Sequence, residues 1–227
     1  MKMLSAKENE SLRDACVGVI GCGGLGGGII EMLGRLGIGR IIAVDGDVFE
    51  PSNLNRQLLS HVENLGTSKA KAAVKRMRLV NPEVQVTAVQ EIVTAENGAK
   101  LLQGAQVMVD AVDRIGTRLM LQELAENMGI PLVHGAIGGW YGQVMTVLPG
   151  DRTLDLIYGG EATQGIEKDL GNPSFTPALV GSIQVSEVLK LLIGRGGILR
   201  HKMLYIDLYE QDYTVLELPA NSEPQKE

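Results

Sequence analysis

The apolar run Cys16-Val-Gly-Val-Ile20 leads straight into Gly21-Cys-Gly23-Gly24-Leu-Gly26, and an apolar segment follows from about Leu25 to Leu36. A buried strand, a glycine turn and a helix in that order leave few folds open. Glycine permits the tight turn and lets a phosphate approach the backbone, while the N–H groups of the helix start form an anion site. Gly37 and Gly39 stop the helix, and Arg40-Ile-Ile-Ala-Val44 reads as the next strand. Both strands are continuously apolar, as parallel strands buried on both faces are. Asp45 ends the second strand, 19 residues after Gly26, where a carboxylate can accept hydrogen bonds from ribose hydroxyls. This fingerprint alone does not separate NAD, FAD and ATP.

The rest of the chain continues the alternation. Thr67 caps a basic helix over Ser68 to Val80, which Asn81-Pro82 ends. A strand spans Val84 to Val89, a short helix residues 94–102, and a strand Ala105 to Val109 runs into Asp110-Ala-Val-Asp113. A helix covers Ile115 to Met128, followed by strands Leu132 to His134 and Gln143 to Leu148. Residues 149–177, rich in Gly and Pro, read as a long loop before a helix over 178–193. Lys202 to Leu208 and Tyr213 to Leu218 form a closing antiparallel pair, and residues 219–227 read as a disordered tail. The predicted fold is α/β: a doubly wound, Rossmann-like, mostly parallel sheet with a C-terminal antiparallel extension, in one domain over residues 1–218.

Composition removes several classes. A net charge of −6 argues against nucleic acid or an anionic membrane as a bulk electrostatic partner. The first ten residues have no apolar run, so no secretory signal is expected. The longest apolar stretch, Ala178 to Ile193, carries Gln184, Glu187 and Lys190 and reads as too short for a bilayer. Two Cys and three His make a disulfide framework or a Cys-rich zinc site unexpected, and a reducing, cytoplasmic location is the default.

The polar connection after Asp45 narrows the ligand. It runs Gly46-Asp47-Val48-Phe49-Glu50-Pro51-Ser52-Asn53-Leu54-Asn55-Arg56-Gln57, and Lys69 follows thirteen residues after Arg56. A dinucleotide's bridged phosphates are largely satisfied by the glycine loop. A triphosphate carries about four negative charges and needs further donors and usually Mg²⁺. Asn53, Arg56 and Lys69 supply donors, and Asp113 after the fourth strand could hold Mg²⁺. Asp47 either caps a turn or touches ligand. Asp110 reads as structural, and His134 as a satisfied core or rim histidine.

These residues together resemble the ThiF/MoeB/HesA adenylating enzymes, bacterial relatives of ubiquitin-activating enzymes. The resemblance rests on Gly21-x-Gly-Gly-Leu-Gly26, Asp45-x-Asp47-Val48, Ser52-Asn-Leu-Asn-Arg-Gln57, Lys69, Asn81-Pro82, Asp110-x-x-Asp113 and Gly181-Ser-Ile-Gln184, and it spans about Arg13 to Leu192. It implies Mg·ATP as cofactor and, as partner, a small ubiquitin-like sulfur carrier ending in Gly-Gly. The carrier's terminal carboxylate would attack the α-phosphate, giving an acyl-adenylate and pyrophosphate, in sulfur transfer for thiamine, molybdopterin or a related cofactor. By position, Gly21, Gly23, Gly24 and Gly26 would line the nucleotide and Asp45 would hold ribose. Asn53, Arg56 and Lys69 would hold phosphates, and Asp113 would ligate Mg²⁺. A homodimer is implied, with residues 149–177 crossing over the carrier tail.

The chain departs from the family in three ways. It has no Cys-x-x-Cys pairs, so zinc is not expected. No Cys follows Cys22, so the long loop cannot form a self-thioester; Cys22 itself reads as a packing residue in the nucleotide loop. The family's N-terminal arginine arm is reduced to Arg13, and Arg114 stands where an Asn is usual, so either Arg114 or Arg118 supplies charge from within the subunit or the site is weaker or altered. Two other functions stay open: a nucleotide-binding scaffold without catalysis, and an NAD-dependent oxidoreductase. Adenylation of a peptide or tRNA-linked carboxylate is a further variant of the first reaction.

Overall fold

A computed structural model describes residues 3–159 and 170–220. The expected tail beyond residue 220 and residues 160–169 of the expected crossover loop lie outside the described residues. In chain order, the elements are α1 (Ala6–Asp14), β1 (Cys16–Ile20), α2 (Gly24–Leu36), β2 (Arg40–Val44), α3 (Lys69–Val80), β3 (Gln85–Val89), α4 (Gly98–Leu101) and β4 (Val107–Asp110). They continue as α5 (Ile115–Met128), β5 (Leu132–Gly138), β6 (Tyr141–Val147), α6 (Thr153–Tyr158), α7 (Phe175–Ile193), β7 (Lys202–Asp207) and β8 (Asp212–Glu217).

The eight strands form one sheet in the order β3-β2-β1-β4-β5-β6-β7-β8. The first five are parallel, with Val17 opposite Ile41 on one side and Val107 on the other. From β5 onward the pairing is antiparallel. β1 is buried throughout and splits its side chains between two cores. Val17 and Val19 join Ile29, Leu33, Val180 and Val188 on the face of α2, α3 and α7. Cys16 and Ile20 join Leu102, Leu121 and Leu124 on the face of α4, α5 and α6. Two-sided burial explains the continuous apolar run.

Several boundaries differ from those predicted, each for a physical reason. Ser68, not Thr67, caps α3: its hydroxyl accepts from Lys71 N–H, while the Thr67 hydroxyl donates to Asn64 O. β5 runs four residues past His134, to Gly138, where the glycines hide the strand pattern. Gly135 is glycine because a Cβ there would lie 2.3 Å from the Gln184 side chain of α7. The stretch 149–177 is not all loop. Leu154 N–H donates to Gln122 Oε1 at 2.7 Å, and α6 docks on α5 through the buried Leu154.

α7 begins at Phe175, ahead of the predicted start, and its 19 residues are long and apolar enough to cross a membrane by length and composition. Its polar residues show why it is a core helix here. Gln184 Nε2 donates to Asp110 O at 2.8 Å, and Glu187 Oε2 accepts from Thr146 Oγ1 at 2.7 Å and from Leu199 N at 2.8 Å.

Glu31 ties α2 to α3. It accepts from Arg76 at 2.7 and 3.0 Å and from Arg35 at 2.8 Å. The Arg76 bonds hold its carboxyl below the usual glutamate range, against an opposing push from burial, and Arg35 adds to the lowering. The folded state therefore gains stability above about pH 4.3, lost as pH falls through the depressed value. In Glu31→Gln the acid limb of a stability-versus-pH curve, measured by urea titration, flattens just below that pH. An unchanged limb would refute the linkage.

Candidate functional site

The strand order reverses between β1 and β4, and ligands of open α/β sheets bind beyond the carboxyl ends of the strands at such a point. A cleft of about 290 Å³ opens there, near the lower bound for ligand pockets. The turns after β1, β2, β3 and β4 form its floor, and the 46–57 connection and Asn172 border it. Gly21 sits at φ +92°, and a Cβ there would lie 2.5 Å from Ala111 O. No other residue fits without moving the β4 turn. Gly23 and Gly24 line the cleft, but Gly26 does not. A Cβ on Gly26 would lie 1.7 Å from Gly21 O, so this glycine lets α2 close onto the loop.

Asp45 Oδ2 accepts from Cys22 N–H at 2.7 Å and Oδ1 from Asp47 N–H at 2.8 Å. Burial pushes its carboxyl above the usual aspartate range, and those two backbone bonds pull the other way. Lys69 is buried at the start of α3, with Nζ 3.1 Å from Asp47 Oδ2. Asp47 is mostly exposed and its backbone O also accepts from Lys69 N–H. It therefore pairs with the lysine while bordering the cleft. Arg56 lies beside Gly24, its Nη1 donating to Ser52 O at 2.9 Å and Asn55 Oδ1 at 2.8 Å. Asp113, exposed, and Arg114 line the opposite rim.

Asn53 departs from expectation. It is buried outside the cleft lining, and its Oδ1 accepts from Glu50 N–H at 3.0 Å. A short Asn reaching back three residues is a capping geometry, and this one folds the loop that carries Arg56. Arg13 stands in a separate groove with Arg40 and Gly39, at the opposite end of the strands. Asp110 and His134 are fully buried, with Asp110 Oδ2 2.6 Å from His134 Nδ1. Burial holds the imidazole below the usual histidine range, and the Asp110 bond opposes this. Cys22 is buried as well. Burial and then Asp45 drive its thiol well above the usual range, which leaves it a packing group.

Sequence reasoning passed over Gln57, Glu91, Ile92, Val93 and Asn172 as cleft residues. Gln57 and Asn172 each present a buried side-chain oxygen without a hydrogen-bond partner. Gln57 lay inside the quoted motif, and the residues after β3 follow from the rule that strand ends form the site. Asn172 sits in a segment with no period to read.

Comparisons with known proteins agree with this geometry. A model of the ThiF family matches residues 1–227. The SAMP-activating enzyme E1 of Haloferax volcanii is 36% identical over 206 residues, covering 89% of this chain and 76% of that protein. The sulfur carrier protein adenylyltransferase of Thermus thermophilus is 35% identical over 221 residues, covering 93% and 82%. Among solved structures, the E. coli tRNA N6-threonylcarbamoyladenosine dehydratase TcdA in complex with ATP superposes with a TM-score of 0.72 at 26% identity, covering 85% of this chain and 91% of that one. The glycine loop at the switch point, the buried lysine on α3 and a family match along the full chain lead to one assignment: this chain belongs to the ThiF family.

Proposed function

We propose that the chain adenylates the C-terminal Gly-Gly carboxylate of a small ubiquitin-like sulfur carrier at the expense of ATP. One observation carries this proposal: Arg56, Lys69 and Asp113 border the same cleft as the glycine loop and Asp45. A dinucleotide would leave these groups without a shared purpose. The relatives named as carrier-activating enzymes support the choice of substrate.

In this mechanism Gly21, Gly23 and Gly24 admit the phosphates to the backbone, and Asp45 accepts from ribose. The carrier's carboxylate oxygen forms a bond to the α-phosphorus, and the bond to the bridging oxygen breaks with its electron pair leaving on pyrophosphate. Arg56 and Lys69 meet the charge that develops on the phosphoryl oxygens, so catalysis is positioning and electrostatics. No protein nucleophile is needed, consistent with the burial of Cys16 and Cys22. Mg²⁺ commonly takes one or two carboxylates, with phosphate oxygens and water as its remaining ligands. Asp113 fits that role; among the described residues no group of three or more His, Cys, Asp or Glu forms a protein-only metal site. Bound with the nucleotide, Mg²⁺ would neutralise phosphate charge. We place the working unit in residues 1–218, in the cytoplasm, as a homodimer.

The test is pyrophosphate–ATP exchange with Gly-Gly-ended small proteins added one at a time. Exchange that depends on one carrier is the expected result. ATP binding without exchange would favour a scaffold, NAD binding without ATP an oxidoreductase, and exchange that needs a tRNA another carboxylate substrate.

A further inference from the structure

Six charged side chains of Asp, Glu, Lys or Arg are buried among the described residues: Glu31, Lys69, Asp110, Arg118, Asp151 and Glu187. Four of them have an oppositely charged partner: Glu31 has Arg76, Lys69 has Asp47, Asp151 has Arg200 and Glu187 has Lys190; Asp110 meets His134, whose imidazole burial holds below the usual range. Arg118 has no such partner among the described residues. It is 3% exposed, and its Nε is buried without a hydrogen-bond partner. A buried cation is costly unless an opposite charge offsets its lost hydration.

Arg118 keeps an unused donor, and its place in the fold puts that donor beside the cleft. Arg118 belongs to the cleft wall, alongside Val112 and Thr117. A closed ring of hydrogen bonds holds it there. Asp110 Oδ1 accepts from Val112 N–H at 3.0 Å, and Val112 O accepts from Arg118 Nη2 at 3.2 Å. Arg118 Nη1 lies 3.3 Å from the Tyr158 hydroxyl, which stands 3.1 Å from His134 Nε2. His134 Nδ1 returns to Asp110 Oδ2 at 2.6 Å. With a neutral imidazole every link is satisfied: arginine and Gln143 Nε2 donate to the tyrosine oxygen, the tyrosine proton goes to Nε2, and Nδ1–H goes to the carboxylate. Two bonds orient the guanidinium, and the Asp110–Val112 bond braces the turn that leads to Asp113.

We propose that Arg118, oriented by Tyr158, is a phosphate-recognition residue of the cleft, its buried and unpartnered Nε–H being the donor left for the polyphosphate of the bound nucleotide. This rests on the nucleotide reading of the cleft but not on the adenylation step. It also places a cation from within the subunit at the cleft, whereas Arg13 lies at the opposite end of the strands.

The experiment compares ATP with adenosine, which lacks the phosphates. Equilibrium dissociation constants for both are measured by calorimetry on the full chain and on Arg118→Gln, Arg118→Lys and Tyr158→Phe. Arg118→Gln is expected to weaken ATP at least tenfold while leaving adenosine unchanged. Arg118→Lys recovers part of the loss, and Tyr158→Phe weakens ATP a few-fold. A purely structural role would move both ligands together. An unchanged ratio of the two constants in Arg118→Gln overturns the proposal. If that variant does not fold, unchanged ratios in the other two overturn it. So does a native chain that binds ATP no more tightly than adenosine. A lowered ratio without carrier-dependent exchange would instead remove the adenylation reading and leave Arg118 its role.

Discussion

Arg56→Ala is expected to lower carrier-dependent pyrophosphate–ATP exchange by roughly a hundredfold to a thousandfold, the scale seen when one preorganised donor to a developing oxyanion is removed. The side chain borders the cleft beside Gly24 and, among the described residues, bonds within its own loop, to Ser52 and Asn55. Its removal therefore leaves the two cores intact, and the melting temperature is expected to stay within about 2 °C. Exchange kinetics and thermal unfolding on the same preparation decide the matter. Exchange within a factor of about three of the native rate would remove Arg56 from the mechanism.

Gly26→Ala is expected to act in the opposite way, through the fold. The added methyl would sit 1.7 Å from Gly21 O, a backbone atom that no rotamer change can move aside. Either α2 lifts off the loop or the loop shifts into Ala111, whose Cβ is 3.3 Å from the same point. Overpacking of this kind costs about 3 kcal/mol or more. In a chain of this length that lowers the melting temperature by roughly 10 °C. ATP binding goes with it, because the cradle and the helix start move together. A variant that melts within about 2 °C of the native chain and binds ATP normally would show that the contact relaxes freely.

The parallel half of the fold was legible because its signals are redundant. β1 and β2 are uninterrupted apolar runs, and Gly37 and Gly129 end α2 and α5 in the left-handed conformation that glycine tolerates best. The second half of β5 was illegible because Gly135 and Gly138 carry no side chain from which a period could be read. α6 was lost because six residues are less than two turns, and its stability comes from Leu154 and the Gln122 bond, which are tertiary. At the site, residue types marked the charged groups well. Asn53 shows the limit: the motif identified the residue, but only the hydrogen bond to Glu50 reveals that its side chain shapes the loop. Arg118 shows what burial adds. The sequence offered Arg114 and Arg118 alike as internal charge, and only the structure separates the exposed Arg114 from the buried Arg118.

The bond from Cys22 N–H to the Asp45 carboxylate spans 23 positions of sequence. The glycine turn is therefore not a self-contained module. Its shape is locked by the end of a different strand, and the same carboxylate also anchors the start of the 46–57 connection through Asp47 N–H. Transplanting residues 21–26 into another scaffold would carry over the glycines without their latch. A working transplant would have to bring the neighbouring strand end with it, so the smallest portable unit is the whole β1-α2-β2 segment with Asp45 attached.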